Sequence, residues 1–251
     1  MIATIAFREF RGLFVSLFGW MLLAAIQIIL AYLFMAQIDT YLISIQPKTG
    51  GIEDLPGVTE LIVGPLYGNA GIVLLMLNPL LTMRAISAER ANRTLSLLIT
   101  APIAGYQIAL GKYAGILAFN ILAIAGLSLM PASLGFATDL DYGKLSACIL
   151  ALILLTASFA AVGLYISSLA GQPSHAASMT FGVLFLLLIL DWSTEGSGLS
   201  DGVLQYISLL GHFNRMRTGL VSSTDVVFYL LIILVFLSMT IKRIGHEGDF
   251  G

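Results

Sequence analysis

Few residues in this sequence have the types and spacing that catalysis needs. Gly111-Lys112 comes nearest to a phosphate-binding loop, but that motif requires a glycine five residues before Gly111 and a serine or threonine after the lysine. Those two positions hold Tyr106 and Tyr113. We therefore expect that the chain binds no nucleotide, and that any ATP hydrolysis takes place on another subunit.

Metal sites and nucleophilic catalysis are also poorly supported. The three histidines lie far apart and form no pair at helical spacing: His175, His212 and His246. Cys148 is the single cysteine, which excludes a disulfide framework and a cysteine-based metal site. An intramembrane serine hydrolase would need a base near its nucleophile, and the last apolar segment contains no histidine. The sequence predicts no catalytic, cofactor-binding or metal-binding residue.

The composition places the chain in a membrane. Of its 251 residues, 58% are hydrophobic and only 10% are charged, and the mean hydropathy is +0.96. A soluble domain has about 25% charged residues, and an apolar excess of this size would aggregate in water. Because six spanning helices would use about half of the chain, no continuous block remains for a separate soluble domain.

Six continuous apolar segments are predicted to span the membrane. They cover about 14–35, 61–83, 113–136, 145–169, 176–190 and 226–241. A helix needs about 20 residues to cross the hydrocarbon core, so the last two segments are short. Continuous apolar runs differ from the alternating pattern of a membrane β-barrel. We predict an all-α integral membrane protein with six transmembrane helices in a single domain, 1–251.

The distribution of charge predicts the orientation. The N-terminus, the 84–112 connection and the C-terminal tail together hold 8 basic and 4 acidic residues. The connections on the other side hold 4 basic and 10 acidic residues. Since basic residues concentrate on the cytoplasmic side of membrane proteins, both termini are predicted to be cytoplasmic.

Two segments on the predicted cytoplasmic side are amphipathic. Residues 1–13 place apolar side chains on one arc of a helix and Thr4, Arg8 and Arg11 on the other, which is typical of an interfacial helix. The alternative is that these residues are the ragged start of the first span. Residues 84–101 predict a short charged helix, in which Glu89 and Arg93 form an i,i+4 pair and which Pro102 ends. Such a helix is either a solvated connector or a docking site.

On the opposite side, the connection 192–224 is long and mixed in character. Its first part is rich in glycine and serine, whereas Val203–Leu210 is apolar but too short to span a membrane. Backbone that enters the bilayer without crossing it must be covered by protein. We predict re-entrant or interfacial helices that cap the external side before the last span; a flexible loop is the alternative.

The interiors of the predicted spans carry no charged residue. Their polar residues are neutral and are predicted to form interhelical hydrogen bonds: Gln27, Asn69, Asn78, Asn120, Thr156 and Ser158. Proton-coupled carriers usually place ionisable groups inside their helices. The sequence therefore argues against ion coupling and for an energy source outside the membrane.

The motifs around the charged connection resemble those of the permeases of ABC-2-type transporters, in particular the small six-span permeases of the gliding-motility-associated group. The matching elements are Glu89-Arg90, Thr94-Leu95, Leu97-Leu98, Ala101-Pro102 and Gln107–Lys112. Arg8–Phe14 resembles the N-terminal connecting helix of that family, and Ile207–Phe213, Gly219 and Asp225–Val227 resemble its region before the last span.

The resemblance implies an ATP-driven export permease that works with a second permease copy or homologue and two cytoplasmic ABC ATPase subunits. ATP and magnesium would bind to the ATPases, and no nucleic acid would be involved. The 84–101 segment would be the coupling helix, and the implied ATPase-coupling residues are Glu89, Arg90, Arg93, Thr94, Leu97 and Pro102. The cargo of such exporters is apolar or amphipathic. The alternative function is a membrane assembly or scaffold subunit that transports nothing.

Overall fold

The computed structural model describes residues 1–45, 59–92, 104–136, 138, 140–196 and 208–248. Within these ranges the ordered backbone is helical and contains no strand. The predicted all-α fold is confirmed, and it follows from long apolar runs whose backbone groups can be satisfied in a membrane only within helices.

Nine α-helices occur in the described ranges. They are α1 (Ile2–Val15), α2 (Leu17–Thr40), α3 (Gly64–Thr82), α4 (Ser87–Ala91), α5 (Gly105–Leu134), α6 (Tyr142–Leu169), α7 (Pro173–Gly196), α8 (Leu209–Arg217) and α9 (Ser223–Gly248). Two short π-helical turns, Tyr41–Ile45 and Thr59–Val63, follow α2 and precede α3.

Five helical segments are long and apolar enough to cross a membrane. They are Leu17–Ile43, Thr59–Ala91, Gly105–Leu134, Tyr142–Leu169 and Ser223–Gly245. A sixth apolar stretch, Pro173–Ile189, is shorter and belongs to α7, a helix of 24 residues. At the rise of an α-helix, α7 measures about 36 Å, which exceeds the ~30 Å of a hydrocarbon core.

The spanning helices begin three or more residues from the predicted starts, and two of these differences are informative. The first predicted span began at Phe14, whereas in the structure α1 continues to Val15. Ser16 interrupts the helix with an extended backbone, and α2 begins at Leu17. The third predicted span began at Tyr113, whereas α5 begins at Gly105. The second difference brings Lys112, which we expected in the connection before this span, into the helix itself.

The helix α6 forms the centre of the bundle. In its most apolar 18-residue stretch, 83% of the stretch is buried inside the bundle. The corresponding stretches of α2 and α9 are only 28% and 22% buried. Small residues on α6 permit close approach of neighbouring helices, as is usual in membrane bundles. At Gly163, for example, the side chain of Thr82 occupies the space that a Cβ atom would need. The helices α2 and α9 are peripheral, and much of their apolar surface is exposed.

Interhelical hydrogen bonds connect α2, α3 and α5 inside the bundle. The amide of Asn120 donates to Asn78 Oδ1 over 3.1 Å, and that of Gln27 donates to the carbonyl oxygen of Ala123 over 2.8 Å. These contacts agree with the predicted role of the neutral polar residues. The hydroxyls of Thr156 and Ser158 instead donate to carbonyl oxygens of their own helix.

A polar cluster ties α8 to α9 at the end of the bundle opposite to α1. His212 Nδ1 lies 2.5 Å from Asp225 Oδ1, and Arg215 donates to the same oxygen over 3.0 Å. The imidazole stacks on the ring of Phe228 at 4.0 Å between centroids. The hydroxyl of Tyr229 donates to the carbonyl oxygen of Leu209 over 2.6 Å. The short helix α8 therefore caps this end; residues 197–207 of the predicted external connection lie outside the described residues.

We predict that Asp225→Ala lowers the free energy of unfolding by about 3 kcal/mol, because it removes the acceptor of two buried or half-buried donors. The measurement is thermal unfolding of the purified protein in mild detergent. Glu60→Ala is the matched control at the same end, since Glu60 is 60% exposed and lies 3.7 Å from Lys144. An exposed pair of this kind contributes about 0–1 kcal/mol. Equal losses in the two variants would contradict the prediction.

Candidate functional site

The predicted coupling residues lie partly within the described structure. Glu89 and Arg90 belong to α4, which follows α3 after a tight turn over residues 83–86. Arg93, Thr94, Leu97 and Pro102 lie outside the described residues. The candidate site therefore consists of the turn, α4 and the elements that hold them, and we call residues 83–92 the connector.

A serine from the central helix holds the start of the connector. Ser167 Oγ accepts hydrogen bonds from the backbone N–H groups of Ile86 and Ser87 over 3.1 and 3.2 Å. The same hydroxyl lies 3.3 Å from the carbonyl oxygen of Met83, to which it donates. All four residues lie at the junction of α3, α4 and α6, where buried backbone donors need partners. The connector is thus attached to α6 through its backbone.

A buried lysine joins the connector to two further helices. Lys112 lies in the third turn of α5, and its side chain is 2% exposed. Its ammonium lies 2.7 Å from Glu89 Oε1 of α4 and 2.8 Å from Glu9 Oε1 of α1. Arg8 of α1 adds a guanidinium 3.3 Å from Glu9 and 3.8 Å from Glu89. We call Arg8, Glu9, Glu89 and Lys112 the ion-pair cluster.

The cluster is electrically balanced, which explains how Lys112 can be buried. An isolated ammonium in an apolar setting is costly, but two carboxylates within hydrogen-bonding distance compensate for the lost water. Arg8 then balances the second carboxylate. Each pair joins different elements, because Glu9, Glu89 and Lys112 lie in α1, α4 and α5. A displacement of the connector would therefore be transmitted to both α1 and α5.

Two glycines of α5 let α1 approach closely enough to complete the cluster. A Cβ atom at Gly111 would lie 2.7 Å from the Cβ of Ile5, and one at Gly115 would lie 2.7 Å from the Cβ of Glu9. Real side chains do not tolerate such separations. The contact continues with Phe14, whose ring lies 5.6 Å from that of Phe119. The helix α1 is thus packed along the first turns of α5.

The remaining side chains of the connector point in two directions. Arg90 donates to the carbonyl oxygen of Ala170, just after α6, over 3.4 Å. Arg84 is exposed and lies 5.3 Å from the ring centroid of Phe18. Ala91 and Asn92 are also exposed. One side of the connector is therefore held by the bundle, and its other side is exposed at the surface of the chain.

Sequence reasoning identified Glu89, Arg90 and Arg8 but missed three residues that position them. Lys112 and Glu9 entered only the charge balance and the family resemblance, apart from the rejected phosphate-binding loop at Gly111-Lys112, and Ser167 received no role. One signal was present: Lys112 is the only basic residue between Arg93 and Lys144. A lone lysine beside long apolar segments requires a partner of opposite charge. Nothing in the sequence points to Ser167, because the contacts of its hydroxyl depend on the packing of α3 against α6.

Comparison with known proteins places this architecture in a family. The family described as ABC-2 family transporter protein matches residues 26–193, which is more than half of the chain. The match extends from α2 to α7 and includes the connector and the whole of α5. No curated protein matches the chain. The fold agrees with this match, because the chain forms a helical bundle with a charged connector between its second and third long helices. The chain therefore belongs to the ABC-2 family of transporter proteins, as a membrane permease component.

Proposed function

We propose that the chain is the membrane-spanning subunit of an ATP-driven exporter and that it receives energy from separate ATPase subunits through the connector. The ion-pair cluster is the observation that carries this proposal. A solvated loop between two spans needs no buried lysine, whereas a segment that transmits force needs rigid attachment to the helices that it moves. Ser167 and Lys112 supply two such attachments, one to α6 and one to α1 and α5.

The exposed side of the connector is the surface that we assign to the ATPase. It includes Arg84, Ala91 and Asn92, and the predicted coupling residues Arg93, Thr94, Leu97 and Pro102 follow directly in the chain. Closure of the ATPase pair on ATP would displace this surface, and the attached helices would follow. ATP and magnesium belong to the ATPase subunits in this proposal, because the chain has no phosphate-binding motif.

We further propose that the connector and both termini are cytoplasmic and that the membrane is the bacterial inner membrane. Within the described residues, the end of the bundle that holds α1 carries the basic residues Arg8, Arg11, Arg84, Arg90, Lys112, Lys242 and Arg243. Its described acidic residues are Glu9, Glu89 and Glu247. This excess of positive charge supports the orientation by the positive-inside rule. In the proposed orientation, a cytoplasmic ATPase can reach the connector.

The proposed assembly contains a second permease copy or homologue and two ATPases. The exposed apolar faces of α2 and α9 support this arrangement, since a permease partner and lipid can both cover such surfaces. Charge is absent from the middle of the described spans and Lys112 is neutralised near one end, which fits an apolar or amphipathic cargo. Membership of the gliding-motility-associated group stays a prediction.

The test of the proposed function is reconstitution with the ATPase. We expect the tagged chain to copurify from mild detergent with an ABC ATPase that contains a P-loop. In proteoliposomes, the chain should raise the ATP turnover of that subunit several-fold. A scaffold subunit would copurify but leave the turnover unchanged. Failure to capture any such ATPase, or an unchanged turnover, would contradict the proposal.

A further inference from the structure

The outward face of α1 combines exposed cations with exposed apolar side chains. Arg8 and Arg11 lie one turn apart on this face, and both are exposed. Phe7 is 65% and Val15 is 76% exposed. The opposite face of α1 is the one packed against α5, and on the outward face Arg8 also reaches the ion-pair cluster.

A groove of about 580 Å³ runs along this face. Six of its lining residues are Thr4, Phe7, Arg8, Arg11, Gly12 and Val15. It is an open surface groove and not an enclosed cavity. Gly12 contributes depth, because a Cβ atom there would meet nothing within 4 Å. Most of the surface that lines the groove is apolar, and Arg8 and Arg11 are the charged residues among its lining.

The two arginines differ in their partners. The guanidinium of Arg8 is shared with Glu9 at 3.3 Å and Glu89 at 3.8 Å. Arg11 makes no ion pair with any residue that the structure describes. A guanidinium without a carboxylate, beside a second cation one turn away, can donate hydrogen bonds to two oxygens of a phosphate group. Among the described residues, Arg11 therefore adds a positive charge to the groove that no carboxylate balances, and this charge favours an anionic occupant.

The bend that follows α1 joins this groove to the first spanning helix. Ser16 ends α1 and caps α2, with its Oγ accepting the N–H of Gly19 over 3.2 Å. In the first turn of α2, the indole N–H of Trp20 donates to the carbonyl oxygen of Phe14 over 2.8 Å. Tryptophan concentrates at the membrane–water interface, and Trp20 is 54% exposed. The spanning helix therefore starts at the C-terminal end of the groove.

We propose that this groove binds the headgroup of an anionic phospholipid. The phosphate lies between Arg8 and Arg11, and the glycerol backbone and first chain carbons lie against Phe7, Gly12 and Val15. An amphiphile matches this surface, because its anionic headgroup can pair with the arginines and its apolar carbons can pack against the exposed phenylalanine and valine. The bound lipid completes the outer side of α1, whose inner side holds the ion-pair cluster.

Native mass spectrometry of the full chain tests this proposal. The protein is reconstituted into nanodiscs of phosphatidylcholine and phosphatidylglycerol in equal parts, then released, and the retained lipids are counted. We expect wild type to retain phosphatidylglycerol in preference to phosphatidylcholine. Arg11→Gln should lower the retention of phosphatidylglycerol about tenfold, the change that corresponds to one charge-assisted contact.

Two further variants separate the groove from general effects. Gly12→Leu fills the groove without changing the charge, and we expect it also to lower the retention of phosphatidylglycerol. Lys242→Gln removes an exposed cation of α9 at the same end of the bundle, and it should retain the lipid as wild type does.

Four outcomes would overturn the proposal. Equal losses in Arg11→Gln and Lys242→Gln would indicate attraction by net charge alone. Equal retention of the two lipids by wild type would indicate an apolar surface without headgroup recognition. Displacement of the lipid by inorganic phosphate would indicate a simple anion site. Release of the lipid by the ATPase subunit would indicate that the face docks protein.

Discussion

Lys112→Met should lower the free energy of unfolding by about 3–5 kcal/mol, because it leaves two carboxylates facing each other without their shared cation. Glu9 and Glu89 lie 2.8 and 2.7 Å from the ammonium of Lys112, and both side chains are partly shielded from water. Arg8 alone would then have to neutralise both charges. Thermal unfolding in mild detergent measures the effect as a lower midpoint.

The rescue of this variant separates charge from packing. Combining Lys112→Met with Glu9→Gln and Glu89→Gln removes all three charges, and we expect most of the lost stability to return, since uncharged replacements of a buried ionic group are often tolerated. Lys144→Met is the control, because Lys144 pairs with the exposed Glu60 at 3.7 Å. Lys112→Met with the stability of wild type would show that the cluster does not hold α1, α4 and α5 together.

The sequence was sufficient to predict the helices but not their beginnings. Every long apolar run became a helix, because the bilayer admits no other backbone for such a segment. The start of α5 was misplaced since Lys112 looked like the last residue of a polar connection. A charged residue can lie inside a helix at the membrane when a side chain of opposite charge lies beside it in the fold. The partners of Lys112 lie 103 and 23 residues away in the chain, at separations that periodicity does not reveal.

The same limitation applies to the candidate site. The resemblance to ABC-2 permeases selected Glu89 and Arg90, and the charge pattern indicated only a short charged helix over residues 84–101. It could not show that Glu89 faces inward, towards α1 and α5, because the direction of a side chain depends on where neighbouring helices pack. The two glycines at 111 and 115 that admit α1 are typical of close helix packing, yet their spacing alone does not identify the partner helix.

Ala91→Trp should abolish the productive contact between the permease and its ATPase. Ala91 is exposed at the end of α4, on the side of the connector that is not fixed to the bundle. An indole at this position would separate the two proteins by several ångströms, while Glu89, Lys112 and Ser167 keep their contacts. We expect the affinity for the ATPase to fall about tenfold or more, as for the loss of a central interface residue. Copurification and ATP turnover in proteoliposomes measure the effect.

Ser146→Trp is the matched control for this prediction. Ser146 is also small, helical and exposed, but it lies in the first turn of α6, at the opposite end of the bundle. The same indole there should leave copurification and turnover unchanged, and both variants should unfold at the temperature of wild type. If Ala91→Trp keeps full affinity and full turnover, the ATPase does not dock on the connector. The ion-pair cluster would then be a structural device that joins α1 to the bundle, and the energy would have to enter the permease elsewhere.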